Sequence, residues 1–458
     1  MELTHFFCDI IITNMRAIKN LVGKVASIKR RNKVLLENFF SLSFLQATNC
    51  ILSFITLPYL ARVLGVGAYG LILFAQVFAQ YFIVITDYGF SLSAARDVSV
   101  HRNDRAKASE IFSVVFTGQF LLMLASLLVF SSVVFLVPKF RVDWPIYLLS
   151  FGVLIGNTLF PTWFFYGIER MDYMALRNLI IKAVFAISIF VFVKHRSDYI
   201  YVPLINSLGY IVVGIFSLIE MRFRFGVRYS LPKYNAVRKC FRSATPVFIA
   251  VAANNINFFS STFFLGIFTN TVVVGYYAAA EKIIMAIGQV MNTVFNAAYP
   301  HISKTIQESR EVGLGMIRKI SRLTLPVFFS FFILFLIFAP QIVGLILGMD
   351  FKESVPIEMI LSGLLLIIPI EHIIVVLALI PLKLDNNFAK IYFILGVINV
   401  LLLTLLVGVL KLGGVAVAFS TVATQALLAA MMYRELVKNN VQILTLKGWR
   451  WNLLNLKR

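Results

Sequence analysis

Acidic residues are scarce in this chain, cysteines scarcer still, and long stretches carry no charge at all. Of 458 residues, 21 are Asp or Glu, against 42 Lys and Arg. Charged residues make up 14% of the sequence and hydrophobic ones 60%, whereas a soluble domain carries about 25% charged residues. A water-soluble fold is thereby excluded. The three cysteines, Cys8, Cys50 and Cys240, are scattered and form no CxxC pair, which excludes a disulfide framework and a thiolate metal site. The five histidines, His5, His101, His195, His301 and His372, are not spaced to share a metal. No HExxH, GxSxG or GxxxxGK[ST] string occurs, so zinc-peptidase, serine-hydrolase and P-loop nucleotide chemistry lack their residues.

Long polar connections are missing too. Residues 137–143 and 194–199 are hardly more than turns, and Phe268-Thr269-Asn270-Thr271 is a bare hairpin. A membrane enzyme that builds or cuts polymers needs more than this outside the bilayer. The class left standing is a secondary transporter or flippase, with no cofactor, whose work is conformational rather than covalent.

What is present is an alternation. Twelve apolar segments lie near residues 38–61, 66–91, 109–136, 144–168, 174–193, 200–220, 242–268, 271–299, 323–348, 355–381, 388–410 and 413–433. Each is long enough for the roughly 20 helical residues that cross a hydrocarbon core. Of the 42 Lys and Arg, 33 fall at the two termini and the even-numbered connections and 7 at the odd-numbered ones. The remaining two, Lys182 and Lys282, fall well within segments, whereas Arg177, Arg242 and Lys390 at segment ends are counted with their connections. Basic loops stay cytoplasmic during insertion, so the expectation is a membrane protein with both termini in the cytoplasm. The same topology and anionic lipid account for the net charge of +21, leaving no call for a nucleic-acid partner.

The fold class expected is all-α and polytopic, with twelve transmembrane helices in two six-helix lobes. The expected divisions are a cytoplasmic extension (1–37), an N-lobe (38–221), a basic linker (222–241), a C-lobe (242–437) and a basic tail (438–458). The extension reads either as a surface-lying amphipathic helix or as a ragged addition with Met15 as the true start. The halves echo one another: shifting residues 41–96 by 205 pairs Asn49 with Asn254, Phe54 with Phe259, Leu60 with Leu265, Gly70 with Gly275 and Phe90 with Phe295. Six helices per half insert both halves in the same sense, which predicts a pseudo-two-fold axis along the membrane normal and a substrate cavity on it.

Charges inside spans are costly, about 2.5–3.5 kcal/mol at mid-bilayer, so they mark candidate sites. Lys282 is expected to present a cation to the cavity, with Glu281 bracing it or relaying a proton. The alternative is that the two form structural ion pairs with another helix. Asp87 either balances Lys282 or carries a coupling proton, or else holds Arg96 at the cytoplasmic end. Glu371 and His372 follow Pro369, whose ring frees a carbonyl; they read as an ion or proton site or as a satisfied buried pair. Arg62 snorkels to the interface or faces the lumen, and Lys182 snorkels.

The strings Leu57-Pro58-Tyr59-Leu60, Arg62-Val63-Leu64-Gly65, Tyr69-Gly70-Leu71, Asp87-Tyr88-Gly89-Phe90 and Ala94-Ala95-Arg96-Asp97 resemble the opening of Wzx-type O-antigen flippases. These belong to the polysaccharide transporter family of the MATE-like MOP superfamily. The resemblance continues at Gly275-Tyr276-Tyr277, Glu281-Lys282 and Tyr299-Pro300-His301. It implies a MATE-like fold and, as substrate, a repeat unit on undecaprenyl pyrophosphate moved to the periplasmic leaflet. It also implies membrane lipids as surroundings, and the O-antigen polymerase and chain-length regulator as partners. Lys282, with Arg62 or Arg96, would suit a pyrophosphate or acidic sugars. The rival readings are a MATE-type cation antiporter, a lipid II flippase and, from another class, a polymerase or ligase, which the short outer loops oppose.

Overall fold

The computed structural model describes residues 33–102, 104–384, 388–441 and 443. The amphipathic helix expected within residues 1–32 and the basic tail from residue 444 onward lie outside the described residues.

The chain opens with one 55-residue helix, α1 (Lys33–Asp87), which holds the first two expected spans. Gly65 separates them, with φ 73° and ψ 172° inside the helix, a backbone state open to glycine alone because any Cβ would clash. Next come α2 (Phe90–Val100), α3 (Arg105–Leu136), α4 (Trp144–Leu159), α5 (Met171–Phe192) and α6 (Tyr201–Phe223). The second half runs α7 (Tyr234–Phe268), α8 (Thr271–Glu308), α9 (Arg310–Ile346), α10 (Val355–Leu361), α11 (Leu364–Ile374), α12 (Phe388–Leu403) and α13 (Gly414–Lys438).

Local chemistry sets these limits. Asp104 caps α3 by accepting from the amides of Ala106 and Lys107, both at 3.0 Å, and Asn270 caps α8 through the Val273 amide at 2.9 Å. Each cap satisfies donors that a helix start leaves without partners. In α9 the backbone leaves helical values at Phe338, two residues before Pro340, whose ring cannot continue the hydrogen-bond ladder.

Ten helices among the described residues are long and apolar enough to cross a membrane by length and composition. Twelve were expected. The first two share one continuous stretch, Ile55–Val100, and α5, a 22-residue helix, is not among the ten. Of the basic 222–241 segment, the first residues continue α6 to Phe223 and those from Tyr234 onward belong to α7. Arg238, Lys239 and Arg242 therefore sit on a helix, where a basic face costs nothing outside hydrocarbon.

The basic connections gather at one end of the molecule, hereafter the basic end. Gly65, Gly348 and the 268–271 hairpin lie at the opposite end. There the two halves cross at a contact that is reciprocal under the 205-residue shift. A Cβ on Gly70 would lie 1.9 Å from the Thr271 carbonyl oxygen and 2.6 Å from the Gly275 nitrogen. A Cβ on Gly275 would lie 2.3 Å from the Val66 carbonyl oxygen. Val66 is the counterpart of Thr271, and Gly70 of Gly275. When residue i touches the mate of j while j touches the mate of i, the contact is isologous, the signature of a two-fold axis. Small residues permit the close approach, and van der Waals packing then holds helices that hydrocarbon does not drive together.

Candidate functional site

Below this crossing, α8 carries Lys282 on the same face as Gly275, seven residues and about 10 Å along the axis. Its neighbours Ala278, Ala279, Ala280, Ile283 and Ile284 are all buried. Lys282 itself is exposed. Its ammonium makes no hydrogen bond or ion pair among the described residues.

Glu281, about 100° around the helix, points elsewhere. It accepts from Thr262 Oγ1 at 3.2 Å and from the Tyr277 hydroxyl at 3.2 Å. The Tyr277 hydroxyl meets Thr421 at 3.0 Å, and Thr421 meets Ser261 at 2.9 Å. A second network follows one turn away: Asn399 donates to Ser260 at 2.9 Å and accepts from Ser420 and Thr424. These bonds tie α7, α8, α12 and α13 into one body, with Glu281 anchored in it rather than clasping Lys282.

Asp87 ends α1 and accepts from Ser91 Oγ at 2.5 Å. It lines a cavity of about 210 Å³ together with Gln80, Gln119, Asn157, Thr158 and Asn255. Arg96 is not brought to it. That side chain is 77% exposed and sits 3.8 Å from the equally superficial Asp97. Glu371 accepts from the Tyr392 hydroxyl at 2.6 Å, while His372 bonds the Ile368 carbonyl at 2.9 Å and stacks on Phe295 at 5.9 Å. Both are satisfied within the second half.

Arg62 reaches across to the Leu345 carbonyl at the end of α9. It is one of three links that close the opposite end. Arg196 pairs with Asp350 at 3.1 Å, and Lys139 donates to the carbonyls of Ile267 and Thr269 at 2.8 and 2.5 Å. Partial desolvation lowers the pKa of the Lys139 ammonium from the ordinary lysine range. Every donor belongs to the first half and every acceptor to the second, and most acceptors are helix C-terminal carbonyls, where the dipole favours a cation. A vestibule of about 620 Å³ between Gly65, Arg196, Tyr276 and Asp350 lies above the closure.

Several of these groups escaped the sequence reading. Nothing in the sequence singles out Lys139, Arg196 or Asp350. Arg177 is not singled out either, yet it is buried, pairs with Glu220 and lies 4.6 Å over the Phe165 ring. Glu358 was overlooked, although Ser354, Glu358 and Ser362 recur at helical spacing and are all fully buried. Neither Glu358 carboxyl oxygen has a hydrogen-bond partner. An unpaired buried acid costs about 1–3 kcal/mol. Glu358→Met, of similar shape, should therefore raise the melting temperature in detergent, and a fall would show that a partner had been lost.

Residues 35–306 match the family described as polysaccharide biosynthesis protein. The chain belongs to that family. Among similar members of known description, one from Escherichia coli (strain K12) is 28% identical over 411 residues, spanning 89% of this chain and 98% of its own. Another, from Shigella dysenteriae, is 24% identical over 268 residues, spanning 58% of this chain and 67% of its own. Both carry the name "Putative O-antigen transporter". In fold, this chain is similar to an inward-facing MATE multidrug transporter of the MOP superfamily, with TM-score 0.63 and 12% identity over 87% of this chain and 98% of that one. It is similar also to the lipid II flippase MurJ in an inward closed conformation, with TM-score 0.64 and 15% identity over 89% and 88%. The all-α, multi-pass membrane architecture of the family is thus the one seen here.

Proposed function

We propose that this chain is a flippase that moves undecaprenyl-pyrophosphate-linked polysaccharide repeat units from the cytoplasmic to the periplasmic leaflet of the inner membrane. The observation that carries the reading is Lys282: an exposed cation on an apolar helix, without a hydrogen bond among the described residues, in a protein whose two halves are latched at one end. A polar oligosaccharide cannot cross hydrocarbon unaided, because each unpaired hydroxyl costs several kcal/mol there. A wet cavity on the axis removes that barrier while the lipid tail stays in the bilayer. Lys282 supplies the counter-charge for a pyrophosphate, and Glu281 keeps α8 fixed so that the ammonium projects inward. Asp87 lies on the path, and Arg62 acts in the closure. Glu371 and His372 are the proposed place for ion coupling, and the O-antigen polymerase and chain-length regulator are the proposed protein partners.

In this reading the lobes are residues 38–221 and 242–437, the basic end is cytoplasmic together with both termini, and the latched end faces the periplasm. Reporters fused at residues 105, 230, 310 and 445 should report cytoplasm, and those at 140, 197, 270 and 352 periplasm. A periplasmic signal from residue 230 would reverse the orientation.

The decisive experiment is deletion of the gene in its own host, in a strain with no second flippase. Single lipid-linked units should accumulate on the cytoplasmic leaflet and the polysaccharide ladder should vanish. A cation antiporter would instead leave the ladder intact and change sensitivity to organic cations. A polymerase would leave single units already flipped.

A further inference from the structure

The cavity beside Asp87 has a composition that discriminates among sugars. Gln80, Gln119, Asn157, Thr158 and Asn255 surround Asp87 with amides and hydroxyls, groups that donate and accept at once, as sugar hydroxyls do. Among its lining residues none is basic. Two of the four amides are wholly available, while Asn255 donates from Nδ2 to the Val251 carbonyl at 2.8 Å. Gln80 and Asn157 make no hydrogen bond among the described residues. Gln119 spends only its carbonyl oxygen, on Trp163 Nε1 at 3.1 Å. Phe160 adds one ring to the wall, so the site pairs an apolar face with a few convergent polar groups, as small-molecule sites do.

The cavity lies on the substrate's path. Asn255 and Val251 come from α7 in the second half and the other lining residues from the first, so a ligand there is gripped by both halves and freed when they move apart. Counting helical rise from the Gly70–Gly275 crossing, Asp87 lies about 15 Å nearer the basic end than Lys282. That separation gives the two sites different parts of one elongated molecule.

We propose that this cavity is a glycan subsite for an uncharged or amino sugar of the lipid-linked repeat unit, and that it disfavours acidic sugars. The inference rests on the flippase reading and extends it to substrate class. A uronate placed here would lose its hydration, find no cation and face Asp87, an unfavourable arrangement of like charges. A hydroxyl or a hexosamine ammonium would instead donate to the Asp87 carboxylate.

The test uses the purified full chain in proteoliposomes carrying one of two undecaprenyl-pyrophosphate trisaccharides. They differ only in the sugar farthest from the lipid: an N-acetylhexosamine in one and a hexuronic acid in the other. The parent should flip the hexosamine lipid about 10-fold faster or more. Asp87→Asn, which keeps size and hydrogen bonding, should narrow that ratio, and Asn157→Lys, which supplies the missing cation, should narrow or invert it. Equal rates in the parent would defeat the subsite while leaving the flippase reading intact, as would a preference that neither substitution alters. If the parent flips neither lipid, the flippase reading falls and the subsite with it.

Discussion

Lys282→Ala should reduce transfer of the lipid-linked unit by about 10- to 100-fold while protein level, insertion and melting temperature stay near those of the parent. The separation of the two effects follows from the environment of the residue. Its ammonium holds no hydrogen bond within the described protein and feels the charge of the adjacent Glu281, so truncation breaks little that stabilises the fold. What disappears is a charge-assisted contact to the ligand, worth about 1.5–3 kcal/mol. Lys282→Arg keeps the charge and should retain part of the activity, limited by the different shape of the guanidinium. Glu281→Ala is the contrasting case: it strips the carboxylate from Thr262 and Tyr277 and should lower stability as well as transport. The polysaccharide ladder, read beside the amount of membrane-inserted protein, reports both. Normal transport by the alanine variant would remove Lys282 from the substrate path.

Gly70→Ala should be more damaging still, and to the fold itself. A Cβ 1.9 Å from the Thr271 carbonyl oxygen and 2.6 Å from a backbone nitrogen has no flexible side chain to push aside, so the helices must separate. Overpacking of this kind costs about 3 kcal/mol at the upper end of its usual range. Gly275→Ala meets the Val66 carbonyl in the mirrored position and should behave alike. The informative variant is the double one. Once one Cβ has forced the crossing apart, the second enters space already opened, so the combined loss should fall well short of additive. Thermal unfolding of the four proteins in detergent measures this. Strict additivity would mean that the two glycines do not share one contact.

Much of the architecture was legible because hydrocarbon writes itself into sequence as uncharged runs, and basic loops mark one side. Lys282 stood out for the same reason, being one of two basic residues far inside apolar segments. The internal shift paired Gly70 with Gly275 by identity, but an alignment carries no distances, and their meeting at the crossing needed coordinates. Partner choice was likewise invisible. That Glu281 turns to Thr262 and Tyr277, or Arg62 to a carbonyl of α9, depends on residues up to 283 positions apart. Arg177 and Glu220 went unremarked because one-dimensional counting cannot tell a helix end that is buried from one that is wet. The Asp87 cavity hid for another reason: amides and hydroxyls are common in membrane helices, and only their convergence makes a site.

The three links that shut the opposite end are lopsided in a way that bears on how such proteins diversify. Arg62, Lys139 and Arg196 are side chains, whereas the carbonyls of Leu345, Ile267 and Thr269 belong to the main chain. A substitution in the second half can remove only Asp350. Exposed contacts of this type contribute about 1 kcal/mol or less each, so their sum lies within what one bound ligand can offset. Three codons in the first half of the gene can therefore raise or lower the threshold for opening by small steps, leaving the rest of the machine untouched as the cargo changes.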